Sequence, residues 1–357
     1  MKYRTATLLA EKTLATSGTE TIDIDVKDPI SALTIGARIT FSTGARLIPE
    51  PDVFSKIELV DGSDVLMSLS GSEMAAIAFY EGMKQIDWAA CNLLSETEEG
   101  YLRILFGRKL WDTMLAFDPK KFRNPQLKLT YNTAAVQALA TPLYLRVIAE
   151  CFDEKVVSPV GFIQNKEFHS YTPGATTYEY IDLPTDLRLR KLFLQTKGFG
   201  AAHFQLLTSI RLSEDSDKKV PFDLLTLDLM DKELMEFGRC HQYLGAQTRG
   251  ASYPVFGAPC NVENFNIMNA SSQVAVQAVT GTGGKFAFDA SSATLIVIGE
   301  LSGALPYFVH CYPFGEQDDP DDWYDVTKVG SLRLRVLSGT AGASATFQTI
   351  LQQLRKY

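Results

Sequence analysis

Apolar and polar residues alternate in short stretches along the chain. Every second residue from Leu143 to Cys151 is apolar, and the same alternation runs from Leu127 to Tyr131. A period of two is typical of a β-strand with one buried face. Turn residues (Pro, Gly, Asp and Asn) separate these stretches, and no long helical patterns alternate with them. The pattern therefore predicts antiparallel sandwiches or barrels and disfavours a βαβ fold.

Three stretches of the first half are matched, in the same order, in the second half. Ile22 in IDID matches Ile181 in YIDL, and Ile57 in SKIELVDGSD matches Ile210 in TSIRLSEDSD. The third match places Ala140-Thr141 against Ala345-Thr346, after QLKLTYN and SLRLRVL. Any two β-rich sequences share alternating patterns, but the shared order favours a duplicated domain.

The duplication predicts two domains and an insertion. The spacing between matched residues increases after the second match, so the second copy carries extra residues between Gly238 and Ser331. We expect an amino-terminal β-sandwich over residues 1–155 and a carboxy-terminal one over residues 156–357, with an inserted loop or hairpin region at about 239–330. A chain of 357 residues is long enough for two such cores.

One short helix is predicted at the equivalent place in each copy. Ser70-x-x-Glu73 is a capping box, which starts a helix that runs to about Tyr80 and ends at Gly82. In the second copy, Asp228 or Asp231 is expected to cap a helix that continues through Met235 and ends at Gly238. A hairpin followed by a capped helix, present twice, supports the duplication.

Charge and cysteine usage narrow the class of protein. The net charge of -8 argues against a broad phosphate-binding surface, so direct sequence-specific binding of nucleic acid is not expected. The five cysteines show no CxxC spacing and are interpreted as buried free thiols: Cys91, Cys151, Cys240, Cys260 and Cys311. Glu11 and Lys12 interrupt the first apolar stretch, and no window suits a membrane span. A soluble product of the host cytoplasm is expected.

The combination of tandem sandwiches, each with a hairpin leading into a short helix, resembles the double jelly-roll major capsid proteins. The residue patterns of IELVDGSDVLMSL and FDPKKFRNPQLKLTYN carry the resemblance. That family includes the adenovirus hexon and the coat proteins of tailless, membrane-containing icosahedral bacteriophages. The resemblance implies an all-β fold of two eight-stranded antiparallel jelly rolls, with the insertion as an outward elaboration.

The same resemblance implies partners and location. Three chains would form a pseudo-hexagonal capsomer, which contacts neighbouring capsomers and minor capsid proteins in the virion. Trp88, Trp111 and Trp323 are candidates either for such interfaces or for the core. Lys2, Arg4 and Lys12 make the amino terminus basic. Contact with an internal membrane or a neighbouring capsomer is one hypothesis for it, and a frayed tail is the other.

Enzyme and cofactor motifs are not found in the sequence. The chain lacks G-x-S-x-G, and residues 198–203 (GFGAAH) lack the last glycine of a dinucleotide fingerprint, so a loop is expected there. Residues 281–284 (GTGG) lack the Lys-Ser/Thr of a phosphate loop and predict a hairpin turn. We assign no catalytic or cofactor-binding residue, and expect a protein that is not an enzyme.

Metal ligands are also sparse. Only four histidines are present, and two are adjacent to cysteines as Cys240-His241 and His310-Cys311. Neighbours on a strand point to opposite faces, so neither pair chelates one ion by itself. One residue from each pair meeting the other remains an alternative to buried thiols. The acidic run 318–325 does not have the spacing of a calcium loop and is interpreted as a solvated loop. No metal site is assigned.

Two other functions stay open at this stage. The first is a carbohydrate-binding or glycan-processing protein built from two jelly rolls, which would be a monomer or a dimer. The second is a minor virion component such as a spike or penton protein, which would share the fold at low copy number.

Overall fold

The fold was analysed in a computed structural model. The described residues are 2–41, 45–83, 85–93, 95–137, 139, 141–154, 156–247, 253–270, 276–290 and 296–357. Ala140, from the third match of the repeat, lies outside the described residues, and so does residue 155, the expected domain boundary.

The first half of the chain forms an eight-stranded sandwich and one additional strand. The strands are β1 (Tyr3–Leu14), β2 (Ser17–Asp23), β3 (Ile30–Thr40), β4 (Phe54–Asp61), β5 (Asp64–Leu69), β6 (Gln85–Cys91), β7 (Thr97–Leu105), β8 (Pro125–Asn132) and β9 (Leu143–Phe152). One sheet has the order β1-β9-β3-β7, and the facing strands have the order β2-β8-β4-β5. This interleaved order is that of a jelly roll.

The second half repeats this arrangement. Its first strands are β10 (Gly161–Tyr171), β11 (Tyr178–Leu183), β12 (Leu189–Lys197), β13 (Leu207–Glu214) and β14 (Lys219–Leu225). Six further strands are β15 (Cys240–Gln247), β16 (Val255–Phe256), β17 (Pro259–Ala270), β18 (Val276–Thr282), β19 (Lys285–Ala290) and β20 (Ile296–Pro306). The last three are β21 (Val309–Pro313), β22 (Leu332–Ser338) and β23 (Thr346–Lys356). The orders β10-β23-β12-β21 and β11-β22-β13-β14 match those of the first half strand for strand.

The predicted fold of two tandem antiparallel jelly rolls is therefore confirmed. A parallel bridge between Ser68 of β5 and Lys166 of β10 joins the two sandwiches into one eight-stranded sheet. The largest apolar cluster fills the first sandwich and includes Phe193, Val309 and Ile350 of the second, so one core continues across the junction.

Each sandwich has a helix at the predicted position. Helix α1 (Gly71–Tyr80) has the expected capping box, with Ser70 and Glu73 as its two members. One-turn helices α2 (Thr133–Val136) and α3 (His203–Leu206) were not predicted.

Helix α4 (Thr226–Phe237) ends at Gly238, as expected, with a φ of 78°. Its predicted capping was wrong, because β14 runs directly into the helix and Leu225 stands at the N-cap without a side-chain hydrogen bond. Asp228 and Asp231 consequently lie inside the helix.

The extra residues of the second copy form most of two further sheets. Strands β15, β17 and β20 pair with β6 of the first half in the order β17-β20-β15-β6, and β16, β18 and β19 form a smaller sheet beside it. We call these seven strands the tower. Strand β21, inside the range expected for the insertion, instead pairs with β12 in the second sandwich.

We therefore propose that the insertion ends before Val309. The expected insertion included β21 because this strand has no recognisable match in β7. We also propose that the two domains divide in the segment between Phe152, where β9 ends, and Gly161, where β10 begins.

Candidate functional site: the junction and the outer faces

Helix α1 lies between the two sandwiches and is covered on nearly every side. Nine of its ten residues are buried. Its sequence, GSEMAAIAFY, is apolar almost all round, which is the pattern of a helix with partners on both sides. The Tyr80 hydroxyl donates a 2.7 Å hydrogen bond to the Val309 carbonyl of the second sandwich. The amide of Gln195, on β12, donates to Ser72 Oγ at 3.3 Å.

A buried ion cluster follows the helix. Arg190 and Lys191, both on β12, each donate to the Glu81 carboxylate at 2.7 Å, and all three side chains are at most 6% exposed. Burial acts to raise the pKa of Glu81, but Lys191 and Arg190 outweigh it and lower the pKa to about 2. Gln352 also donates to this carboxylate, at 3.1 Å. The cluster ties the end of α1 to the second sandwich, because burial of any one of these charges alone is costly.

Tyr357, the last residue of the sequence, makes a second set of contacts between the two sandwiches. The hydroxyl of Tyr357 donates to the Ala116 carbonyl at 2.6 Å and accepts from the backbone amide of Asp118 at 2.6 Å. Its ring packs near Phe122 and Phe162, with 5.9 Å between the ring centroids in each case. Two separate sets of contacts therefore hold the sandwiches as one body.

Helix α4 is covered on one side only. Its buried residues are Thr226, Leu229, Met230 and Glu233. The Glu233 carboxylate accepts from the Cys311 amide at 2.7 Å and lies 3.2 Å from Nδ1 of His310. Burial raises the pKa of Glu233, although His310 counteracts it. The far side of the helix exposes Leu227 and Met235, at 53% and 90%.

The outer faces of the sandwiches are covered with ion pairs. On the sheet β1-β9-β3-β7, Arg38 binds Glu11 at 2.8 Å, and Arg103 and Arg146 bind Glu150 and Glu99. On the sheet β11-β22-β13-β14, Arg211 and Arg333 bind Asp223 and Asp182, at 3.1 and 2.6 Å. The outward strand positions are thus polar at both ends of the protein.

The histidines of the two candidate pairs lie beside different carboxylates. His241 Nδ1 lies 2.7 Å from Glu300 on β20, whereas His310 faces Glu233 on α4. All five cysteines are buried, as predicted, and burial raises the pKa of Cys240 to about 12. Such thiols are inert. Within the described ranges, no group of three or more His, Cys, Asp or Glu residues is suitably placed for a metal ion.

The loop predictions agree with the structure. Residues 281–284 close the hairpin between β18 and β19, with Gly283 and Gly284 as its turn, and residues 198–202 connect β12 to α3. The acidic run is a loop in which Asp325 pairs locally with Lys328, at 2.9 Å, and Asp321 pairs with the distant Arg188, at 2.8 Å. Trp88 and Trp323 are core residues, at 1% and 2% exposure, and Trp111 is half-buried.

The basic amino terminus is a strand, so the frayed-tail interpretation was wrong. Arg4 binds Asp28 and Lys12 binds Glu20, both at 2.7 Å. In the part of the chain that the structure covers, no helix has the length and apolar character needed to cross a membrane.

Sequence reasoning missed the ion cluster of Glu81, Arg190 and Lys191. The nearly continuous apolar character of α1 was a signal that it is buried on both sides. No sequence signal identifies the partner of Glu81, because the three residues are distant along the chain and meet only through the packing of α1 on β12.

No family model matches the sequence, and no curated protein matches it. Solved structures do match. The STIV MCP has a TM-score of 0.63 at 10% identity, over 99% of this chain and 97% of that chain. The PBCV-1 virus capsid has a TM-score of 0.58 at 10% identity, over 99% and 93%.

The major capsid protein P2 from Bacteriophage PM2 has a TM-score of 0.57 at 10% identity, over 99% and 98%. Identity this low carries information on fold alone, and the agreement extends over nearly the whole length of each chain. The chain therefore has the double jelly-roll fold of the viral major capsid proteins to which it is similar.

Proposed function

We propose that this protein is the major capsid protein of an icosahedral virus, and that three copies form a pseudo-hexagonal capsomer. One observation carries the proposal: two jelly rolls with the same strand order are joined edge to edge in one chain, and this arrangement aligns with capsid proteins over 99% of the chain. The protein would reside in the virion and bind copies of itself.

The junction supports this role physically. A coat subunit must keep its two halves at a fixed angle, because errors in that angle accumulate over many copies in a closed shell. The shared apolar core, the Glu81 cluster and the Tyr357 contacts resist hinge motion here. A protein whose function depended on domain closure would have a smaller and more polar junction.

We propose a purely structural role, without catalysis. An active site brings titratable groups together in an accessible cleft. Three of the groups with perturbed pKa values, Glu81, Glu73 and Glu233, are buried, and their hydrogen bonds to Arg190, Ser70 and Cys311 hold the helices in place.

Beyond the trimer, the proposed partners are neighbouring capsomers, minor capsid proteins and, at the amino terminus, an internal membrane. Arg4 and Lys12 are already ion-paired, so the membrane contact would depend on the exposed Lys2. Lys2→Glu tests this contact without removing strand β1. Particles with normal lipid content would count against it.

Light scattering and electron microscopy of the purified protein test the function. We expect a species of three times the chain mass, with a hexagonal outline. A stable monomer at micromolar concentration would overturn the proposal and favour the carbohydrate-binding alternative. Low copy number in purified particles would instead indicate a spike or penton protein.

A further inference from the structure

Two adjoining cavities open at one edge of the second sandwich. The first has a volume of about 230 Å³, and its floor is formed by β10 and β23, where Gln164 lies opposite Gln353. Pro184 and Leu187, from the connection between β11 and β12, also line it. Leu351 of its floor belongs to the core of the second sandwich, so the cavity is an open mouth of that sandwich.

A second cavity of about 580 Å³ continues from the first. Asp186, Leu187 and Arg355 line both cavities, and the second extends to Arg188 and Lys356. We call the two cavities together the amide groove. A continuous groove of this kind accommodates an extended ligand better than a compact one.

The floor of the first cavity contains two buried side-chain amides with unused hydrogen-bonding groups. Gln164 and Gln353 are 5% and 4% exposed, and Gln164 Nε2 donates to Gln353 Oε1 at 3.3 Å. Gln164 Oε1 and Gln353 Nε2 have no partner among the described residues. Turning both amides over would still leave one oxygen and one NH₂ group unused. Because buried polar groups without partners are costly, the site favours a ligand that supplies one donor and one acceptor side by side.

An extended peptide supplies that pair of groups. In an extended chain the N–H and C=O groups of one residue point to the same side, as they do where antiparallel strands pair. The N–H group would donate to Gln164 Oε1, and the C=O group would accept from Gln353 Nε2. Val65, Phe168 and Leu351 line the same cavity and offer an apolar surface to one side chain of the peptide.

The charge of the amide groove is opposite to the net charge of the whole protein, which is -8. Arg188 and Arg355 are ion-paired with Asp321 and Asp64, whereas Lys166 and Lys356 have no ion-pair partner among the described residues. Lys166 lines only the first cavity, and Lys356 lines only the second. The two lysines are therefore free to bind acidic side chains at separate points along the groove.

We propose that the amide groove binds an extended acidic segment of another protein. One residue of that segment exchanges main-chain hydrogen bonds with Gln164 and Gln353, and an apolar side chain packs against Leu351. Acidic residues of the segment bind Lys166 and Lys356. The inference deepens the proposed function, on which it rests for the nature of the partner, a second protein of the virion.

Fluorescence anisotropy of a labelled peptide tests the binding. The probe is a heptapeptide with a central leucine between two runs of three acidic residues, and lysines replace the acidic residues in the control probe. We expect the acidic probe to bind the purified protein with a dissociation constant of about 100 µM or lower, and more weakly at high salt. Failure of the acidic probe to bind, or equal binding of the control probe, would overturn the inference.

Charge substitutions locate the binding in the groove. Lys166→Glu is expected to weaken binding of the acidic probe about tenfold or more, whereas Asp186→Asn removes a negative charge from the groove and should strengthen it. Lys218→Glu is the matched control, because Lys218 is an exposed lysine that lines neither cavity. Equal effects of Lys166→Glu and Lys218→Glu would show that the probe binds elsewhere.

A double variant with Gln164→Leu and Gln353→Leu tests the amides. It removes both amides together and leaves no single amide buried, so the fold should be retained, as circular dichroism would show. Binding of the acidic probe is expected to fall about tenfold or more. Gln353→Met takes its place if the double variant does not fold. Unchanged binding by a folded variant would refute recognition of the main chain.

The peptide assay separates this inference from the proposed function, because it does not depend on assembly. A wild-type trimer that does not bind the acidic probe would overturn the inference alone. A stable monomer that binds the probe would overturn the proposed function alone.

Discussion

At the scale of single residues, Glu81 joins helix α1 to the second sandwich through a buried ion cluster. It is the one anion in contact with two buried cations, Arg190 and Lys191, in the described junction. Its pKa of about 2 means that the carboxylate is ionised at every pH at which the protein is handled. The stabilisation it gives is complete above the unfolded pKa of about 4.5 and is lost progressively as the pH falls towards about 2.

Glu81→Gln is expected to destabilise the protein by about 3–5 kcal/mol, because it leaves two buried cations with one neutral partner. Urea denaturation measures the change. The matched control is Asp182→Asn, which breaks the exposed ion pair with Arg333 and should cost less than about 1 kcal/mol. Equal costs for the two variants would contradict the importance of the buried cluster.

At the scale of elements, α1 depends on its first turn. The Ser70 amide donates to Glu73 Oε2 at 2.6 Å, and the Glu73 amide donates back to Ser70 Oγ. Burial is the main cause that raises the pKa of Glu73 to about 7, with Ser70 opposing it. The folded protein therefore retains a proton that the unfolded chain releases at lower pH.

Glu73→Gln removes the ionisable carboxyl but keeps a side chain that can complete the capping box. Since the folded pKa lies above the unfolded one, wild-type stability falls as the pH rises from about 4.5 to about 7. Glutamine also fits a capping box, so the variant should gain thermal stability relative to wild type over this range and show a constant difference above it. Thermal melts at several pH values measure the effect.

Ser70→Ala is the control, because it removes the side-chain oxygen of the cap but keeps the ionisable carboxyl of Glu73; it should cost about 1 kcal/mol and retain the dependence of stability on pH. If the difference between Glu73→Gln and wild type did not change with pH, the buried neutral carboxyl would be refuted.

At the scale of the whole molecule, the two sandwiches are expected to unfold together. The main apolar cluster includes residues of both, among them Phe193 and Ile350. Ile35→Ala in the first core and Leu334→Ala in the second should each cost roughly 2–5 kcal/mol and lower the same single calorimetric transition. Two resolved transitions, each sensitive to one variant, would contradict a shared core.

Most of the architecture was predictable because it depends on local pattern. The period-two alternation located the strands, the capping box located α1, and Gly238 located the end of α4. The repeat then implied two sandwiches, and TM-scores of up to 0.63 with capsid structures agree with that fold. The proposed end of the insertion, before Val309, differs from the expected one because strand β21 is too short and too different from β7 to show the repeat.

The sequence by itself determined the alternation of many strands, the start and end of α1, the end of α4 and the repeated order of matching stretches, because these depend on interactions between near neighbours. Tertiary structure alone decided which strands cover α1 and that one side of α4 stays exposed. The two helices differ in the elements that lie beside them. The strands that cover α1 are more than a hundred residues away from it along the chain. Packing between distant segments has no period in the sequence, so the contacts of Glu81 and the exposure of Met235 became visible only in three dimensions.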